Sequence, residues 1–499
     1  MSDNLGAFAP ELQNSDRLAF ITPLDDTQQQ EITFRQLHAR ADAIGLGLLQ
    51  YGWPQGSRVA ILARNSIDYV ISLLGIMRAG LVAVPINFRF PVDTLEKIIT
   101  DSNSRLLLGD ADQLARVNHQ IAKVSFGPAL AQLQHAGVLP AFAPGAEDLA
   151  LLLYTSGSTG MPKGVRLTHT SHRWVVDTRL AQRELTGEQV LIAAPFYHMN
   201  ALALALLTLA SHVTTVLLPQ FDARRYLQAV DRYRCTWLTA VPPMLAMMLR
   251  EKDLLDSCDL SCVRVIRMGS APVSDSLYQA LRHWLPQARI INAYGTTEGG
   301  PVVFGPHPQG IAIPSGASGY AHPDVSLRLR NKAGEYADEG VLEMKSPALM
   351  LGYHQRPDVP EPFSGDGYYI TGDVFRRDEQ GFYWFVGRYD DMFVCGGENI
   401  WPGEVEKLLE RHPQVQQACV VPVVDDIKGQ KPVAWVIPRA GEQLIPDELK
   451  HWALEHGPAY LHPRHIWLTD HFPLAGTNKV DRRVLQVEAE QRVQQETRG

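Results

Sequence analysis

Cysteine is scarce in this chain: five residues (Cys235, Cys258, Cys262, Cys395 and Cys419) in 499, none spaced as C-x-x-C. That leaves no disulfide framework and suits free thiols in a reducing compartment. Positive charge is not in excess either. With 46 Lys and Arg against 54 Asp and Glu, a formal charge of -8, the chain carries no electrostatic footprint for nucleic acid or an anionic membrane. Long apolar runs are missing too. The most apolar stretch, Ala201 to Leu218, is interrupted by Thr208, Ser211, His212, Thr214 and Thr215, whereas a spanning helix wants about 20 mostly apolar residues. A buried helix leading into a strand is expected there. The opening MSDNLGAFAPELQNSD lacks a basic-then-apolar secretory pattern, and the closing Glu-Thr-Arg-Gly is neither a prenylation box nor a peroxisomal tripeptide. A cytoplasmic location is the expectation.

What is present is a globular composition, 45% hydrophobic and 20% charged, in a chain too long for one domain of about 100 to 200 residues. From Thr33 to Asn103, helical patterns (Phe34 to Leu49, Ile67 to Arg78) alternate with β-rich runs at Val59 to Leu62 and Val82 to Ile86. The alternation resumes with strands at Leu191 to Ala194, Val213 to Leu218, Thr236 to Ala240 and Val263 to Met268, and helices at Ala223 to Tyr233 and Ser274 to Leu285. Such alternation predicts an α/β fold with parallel strands. Residues 105 to 145 are less regular and read as connecting structure without identifiable chemistry.

The chain is organised around Leu151 to Thr168, LLLYTSGSTGMPKGVRLT. Leu151 to Tyr154 suit a buried strand, after which Gly157, Gly160 and Gly164 let backbone turn and approach a ligand. Successive amides in such a loop make an anion-binding concavity; Thr155, Ser156, Ser158 and Thr159 add donors, and Lys163 adds a mobile positive charge. The spacing is not G-x-x-x-x-G-K-[ST], because Pro162 precedes the lysine and Gly164 follows it, so a Walker loop is rejected. A plain surface loop is the competing reading of the composition.

Four further strings carry chemistry. In Asn292 to Gly300, NAYGTTEGG, Thr296 and Thr297 can donate to phosphate and Glu298 can hold Mg²⁺, a hard cation that prefers oxygen. In YITGD (Tyr369 to Asp373) and GRYDD (Gly387 to Asp391), Asp373 and Arg388 suit a ribose diol, or a surface ion pair. In PLAGTNKVDRRVL, Lys479 can bridge a carboxylate and a phosphate, or be merely solvated.

The loop and these strings together resemble the adenylate-forming superfamily of acyl-CoA synthetases, adenylation domains and luciferases, and the resemblance runs from ITFRQLHARADAIGLGLL to Lys479. It implies a large N-terminal α/β domain, 1–389, of parallel and mixed sheets flanked by helices, and a small mobile α+β domain, 390–499, with its hinge at Asp390. It implies ATP on Thr155 to Gly160, Lys163 and Thr296, with Ser270, Ala271 and Pro272 of MGSAP, together with Asn292, Tyr294 and Gly295, lying near adenine. Thr297 would contact the α-phosphate, Glu298 bind Mg²⁺, Asp373 and Arg388 hold the ribose, and Lys479 catalyse adenylation. Asn478 stands where the family usually has glycine.

The acyl pocket would comprise Tyr197, His198, Asn200, Met268, Gly269 and Gly300, with His198 lining or gating it, or serving as a core histidine. Gly396 and Gly397 of MFVCGGENIWPGEVE would flank the pantetheine arm of coenzyme A, or simply make a tight turn. Pro402 should open a helix whose apolar stripe is Val405, Leu408 and Leu409. No aspartate near Tyr197 to Ala201 is offered to an amino-acid ammonium, and segments 197–201, 268–271 and 299–303 contain no Lys or Arg for a second carboxylate. The activity implied is that of a carboxylate–CoA ligase using ATP, Mg²⁺ and coenzyme A on a small organic acid, aryl or short to medium acyl. A stand-alone enzyme loading a carrier-protein thiol and an inactive AMP-binding sensor are the alternatives. No nucleic acid or membrane partner is expected, and a homodimer is left open.

Overall fold

The computed structural model describes residues 3–8, 14–25, 27–155, 161–269, 273, 275–396, 398–425, 427–475 and 479–498. Two large sheets carry most of the chain. One runs in the order Arg289–Ala293, Val265–Gly269, Trp237–Ala240, Val190–Ile192, Thr215–Leu217, Leu18–Pro23, Gln29–Thr33. The other runs Ala122–Ser125, Ser104–Gly109, Arg58–Leu62, Val82–Pro85, Leu149–Thr155, Lys163–Thr168. Every neighbouring pair in both is parallel except the last, which is an antiparallel edge. The strands are continuous apolar runs because helices cover them: Val59 to Leu62 and Leu106 to Leu108 are buried on both faces.

Helices form where the sequence pattern placed them, at Phe34–Leu49, Ile67–Arg78 and Ala223–Tyr233. The helix Phe34–Leu49 starts where Thr33 and Gln36 make a reciprocal capping box. The apolar stretch is a buried helix, Met199–Ala210, followed by the strand Thr215–Leu217. Residues 105–145 are more than connection. Ser104–Gly109 pairs with Arg58–Leu62 within the parallel sheet, and Ala122–Ser125 extends it; only three consecutive leucines, Leu106 to Leu108, signal the inner strand.

A four-stranded antiparallel sheet follows, Ser326–Arg330, Glu339–Lys345, Tyr369–Arg377 and Tyr383–Arg388. From residue 393 onward the buried side chains form two cores of their own, sharing no member with the upstream ones. There the helix Pro402–Glu410 buries Val405, Leu408 and Leu409 against a sheet built on the hairpin Val415–Asp425 and Gly429–Pro438. All five cysteines are free thiols. Among the described residues, no helix is long and apolar enough to cross a membrane.

Candidate active site

Both parts of the chain wall one cleft of 2440 Å³. The strand Leu149–Thr155 returns as Lys163–Thr168, with Thr155 opposite Lys163, so the Ser/Thr/Gly loop joins two antiparallel strands. Ser156, Gly157, Ser158, Thr159 and Gly160 lie outside the described residues. Lys163 Nζ donates to the Tyr353 hydroxyl (3.3 Å) and sits 4.4 Å from the centre of its ring. That hydroxyl donates to Glu298 Oε1 (3.0 Å). Backbone bonds bind the same segment to both motifs: Met350 N–H to Glu298 O (2.8 Å), Leu351 N–H to Arg166 O (2.9 Å) and His354 N–H to Gly164 O (2.7 Å). Sequence reasoning missed Tyr353, which stands in no periodic pattern and no charged string.

The second string leaves the strand Arg289–Ala293 in a tight turn. Thr296 Oγ1 accepts from Gly299 N–H (2.8 Å) and Thr296 O from Gly300 N–H (2.9 Å). Gly300 has φ +81°, and a Cβ there would stand 2.7 Å from that of Ala348, so only glycine fits. The turn aims Thr297 and Glu298 into the cleft beside Asn292, Gly295 and Thr296. Tyr294 packs its ring on Phe375 (4.9 Å) and donates its hydroxyl to Asp373 Oδ2 (2.5 Å). The side chain placed near adenine by resemblance is thus tied to Asp373, which the same resemblance assigns to the ribose. Ser270, Ala271 and Pro272 are outside the described residues.

Asp373 and Arg388, fifteen positions apart, are register partners on adjacent strands, and Arg388 Nη1 donates to Asp373 Oδ1 (3.0 Å). Burial pushes the Asp373 carboxyl up, against the pull of Arg388, Tyr294 and Lys479. Arg388 also stands 3.8 Å from Asp390, in the short turn Tyr389–Asp391 that leads into the last part of the chain. Lys479 reaches this site from the far side. Ala475 N–H donates to Lys479 O (2.8 Å), fixing its turn; Asn478 falls outside the described residues. Lys479 is an exposed residue of the cleft wall, yet surrounding protein lowers its pKa, with Asp373 and Glu298 opposing and Arg388 reinforcing.

At the other end, Tyr197, His198, Asn200 and Gly269 line the cleft. Tyr197 is buried and packs edge-on against Phe88 (5.5 Å) and His198 (4.6 Å). Met268 does not line it: strand alternation turns Met268, like Ile266, into the core behind the sheet. Gly300 does not line it either, being packed against Ala348. The same alternation turns Arg267 toward the cleft, one position before the segment in which cations were sought. Burial, then Arg179, push its guanidinium down to about 9, against Glu184. Gly396 (φ +60°) lies at the turn of the hairpin Phe393–Cys395 and Glu398–Ile400, donating to Lys428 O (3.0 Å), and does not line the cleft. Gly397 is not among the described residues.

Relatives carry the same architecture. Feruloyl-CoA synthase from Amycolatopsis sp is 33% identical over 455 residues, covering 90% of this chain and 92% of its own. The ATP-bound structure of MatB from Rhodopseudomonas palustris superposes with a TM-score of 0.88 at 28% identity, covering 98% of this chain and 99% of its own. The ligand-free structure of the same protein gives 0.77 at 27% identity with the same coverage. An anthranilate CoA ligase in complex with anthranoyl-AMP gives 0.86 at 26%, covering 98% and 97%. The profile of the AMP-binding enzyme family matches residues 9–354 and that of its C-terminal domain residues 404–479. The chain belongs to the AMP-binding enzyme family, in its acyl- and aryl-CoA ligase branch.

Proposed function

We propose that this protein is an ATP-dependent carboxylate–CoA ligase acting on aromatic acids. One observation carries the reading: Lys163, Glu298, Asp373, Arg388 and Lys479, from five separated strings, meet in one cleft. The substrate carboxylate attacks the α-phosphorus of ATP in line, the bond to the bridging oxygen breaks, and pyrophosphate leaves with that electron pair. Lys479 spans the attacking carboxylate and the α-phosphate as charge builds between them. Thr297 and Thr155 donate to phosphate oxygens, Lys163 binds the departing pyrophosphate, and Asp373 with Arg388 fixes the ribose, so positioning does most of the work.

Glu298 with threonine hydroxyls is an all-oxygen set with one carboxylate, which fits Mg²⁺ held together with substrate phosphates. Bound there, Mg²⁺ would neutralise phosphate charge. In the second half-reaction the thiol of coenzyme A attacks the acyl carbon, AMP leaves and the thiol proton goes to solvent. For that step the domain from 390 turns about Asp390, withdrawing Lys479 and bringing Gly396 and Gly397 to the acyl group.

The substrate class rests on Arg267, a cation at the acyl end suited to a phenolic oxygen, and on relatives named for feruloyl-CoA and 4-coumarate-CoA. Arg267 equally favours a second reading, an acid with a distal carboxylate. A cytoplasmic location fits the cofactors. The test is pyrophosphate release with ATP and Mg²⁺ across hydroxylated aryl acids, unsubstituted aryl acids, dicarboxylic acids, alkanoic acids and amino acids, with and without coenzyme A. Turnover stimulated by coenzyme A with hydroxylated aryl acids supports the proposal. Release of about one equivalent per enzyme despite coenzyme A points to a carrier-protein acceptor, and no release with any acid leaves a nucleotide sensor.

A further inference from the structure

Tyr353 stands between the two charges that handle polyphosphate. Its hydroxyl accepts from Lys163 Nζ (3.3 Å) and donates to Glu298 Oε1 (3.0 Å), while the ammonium rests 4.4 Å from the ring centre. Among the described residues, no direct ion pair joins Lys163 to Glu298. Opposite charges this close in a partly dehydrated cleft attract strongly, and a direct pair would consume both groups before any ligand arrived. The phenol satisfies each partner without neutralising either. Its ring holds the cation on a face, and its O–H occupies one lone pair of the carboxylate. The backbone keeps it there. Met350 N–H is bound to Glu298 O, His354 N–H to Gly164 O and Val165 bridges Tyr353, so the tyrosine cannot drift from either motif.

We propose that Tyr353 is a positioning residue that keeps Lys163 and Glu298 apart, reserving the lysine for the β- and γ-phosphates and the carboxylate for the metal. It rests on the reading of the cleft as a Mg·ATP site. When triphosphate enters, Lys163 leaves the ring for phosphate oxygens, and the Tyr353 hydroxyl still orients Glu298. Removing the hydroxyl lets ammonium and carboxylate collapse together, so that ATP must break an ion pair to bind.

The test is calorimetric titration of ATP in EDTA, and of AMP, into four proteins: wild type, Tyr353→Phe, Glu298→Gln and the double variant. Tyr353→Phe should weaken metal-free ATP about tenfold, the share of one charge-assisted hydrogen bond, and leave AMP unchanged, since AMP lacks the phosphates that Lys163 takes. In the Glu298→Gln background, where no ion pair can form, the same substitution should change ATP affinity less than about twofold. A tenfold loss in both backgrounds, no loss in either, or an equal loss for AMP would overturn the spacer role. Failure of the wild-type protein to bind ATP would instead overturn the functional reading beneath it. The circular-dichroism spectrum and a single cooperative thermal transition read the fold independently and should be retained in Tyr353→Phe.

Discussion

The nucleotide end and the acyl end of the cleft are built on different principles. At the nucleotide end side chains hold one another in pairs: Arg388 and Tyr294 on Asp373, Tyr353 on Glu298 and Lys163. The groups sit on strand ends and tight turns whose glycines and threonines are chosen for backbone reasons, as at Gly300. At the acyl end the wall is the hydrophobic core itself. Tyr197 belongs to a buried cluster with Phe88, and Met268 disappears into another. In the proposed reading, chemistry common to every substrate is therefore held by polar pairs, whereas specificity depends on which side chains of the core strands face the cleft.

The widest separation of the two ends should come from Lys479. Lys479→Ala removes the cation between carboxylate and α-phosphate, and we expect acyl-AMP formation to fall about 10³-fold, the scale of one lost donor to developing charge. Thioester formation from pre-made acyl-AMP should be largely intact, because the proposed turn about Asp390 withdraws Lys479 for that step. Rapid-quench measurement of each half-reaction checks this; equal loss of both sinks the alternating arrangement. Asp390→Pro should do the reverse, slowing the thioester step about 10²-fold by restricting the turn at Tyr389–Asp391 while adenylation continues. Unchanged thioester formation would move the pivot elsewhere.

The comparison is sharpened at the acyl end by Arg267. Arg267→Leu should cost a hydroxylated aryl acid about thirtyfold in kcat/KM, the value of one hydrogen bond to a charged group, while an unsubstituted aryl acid loses little. Because the nucleotide end is untouched, the KM for ATP should hold. If both acids lose equally, Arg267 serves the packing around Arg179 and Glu184 rather than selection.

How far each end was legible follows from the same contrast. Lys163, Glu298, Asp373, Arg388 and Lys479 were readable because each sits in a short string whose residue types have few other uses together. Asp373 and Arg388 needed only two strands joined by a turn to meet, which their fifteen-residue spacing allows. Most inner strands of the two large sheets and the helices packed on them were readable from apolar periodicity, but Leu18–Pro23, Gln29–Thr33 and the four-stranded antiparallel sheet were not, and 105–145 hid two strands because its polar stretches outweighed Leu106 to Leu108. Tyr353 was not readable, since its role depends on three segments distant in sequence converging. Met268 was carried into the pocket with the MGSAP segment by resemblance, whereas strand alternation gives the cleft face to Arg267 and sends Met268 into the core.

The smallest expected effect is a matter of pH, and it also assigns a charge to one end or the other. In the proposed reading Lys479 works as a cation, and the surrounding protein lowers its pKa from the ordinary 10.5, partly opposed by Asp373 and Glu298. Raising the pH removes its proton, so acyl-AMP formation should fall by a few-fold on the alkaline side, before an ordinary lysine would titrate. On the acid side of that limb the group is fully charged and the rate is flat with respect to it. The thioester half-reaction, run without Lys479 in the site, should lack the limb. The limb also belongs to the nucleotide end, so it should fall at one pH for every acid tested. Profiles of pyrophosphate release for a hydroxylated and an unsubstituted aryl acid decide this: a limb that shifts with the acid places the titrating group beside the acyl substrate, at Arg267 rather than Lys479.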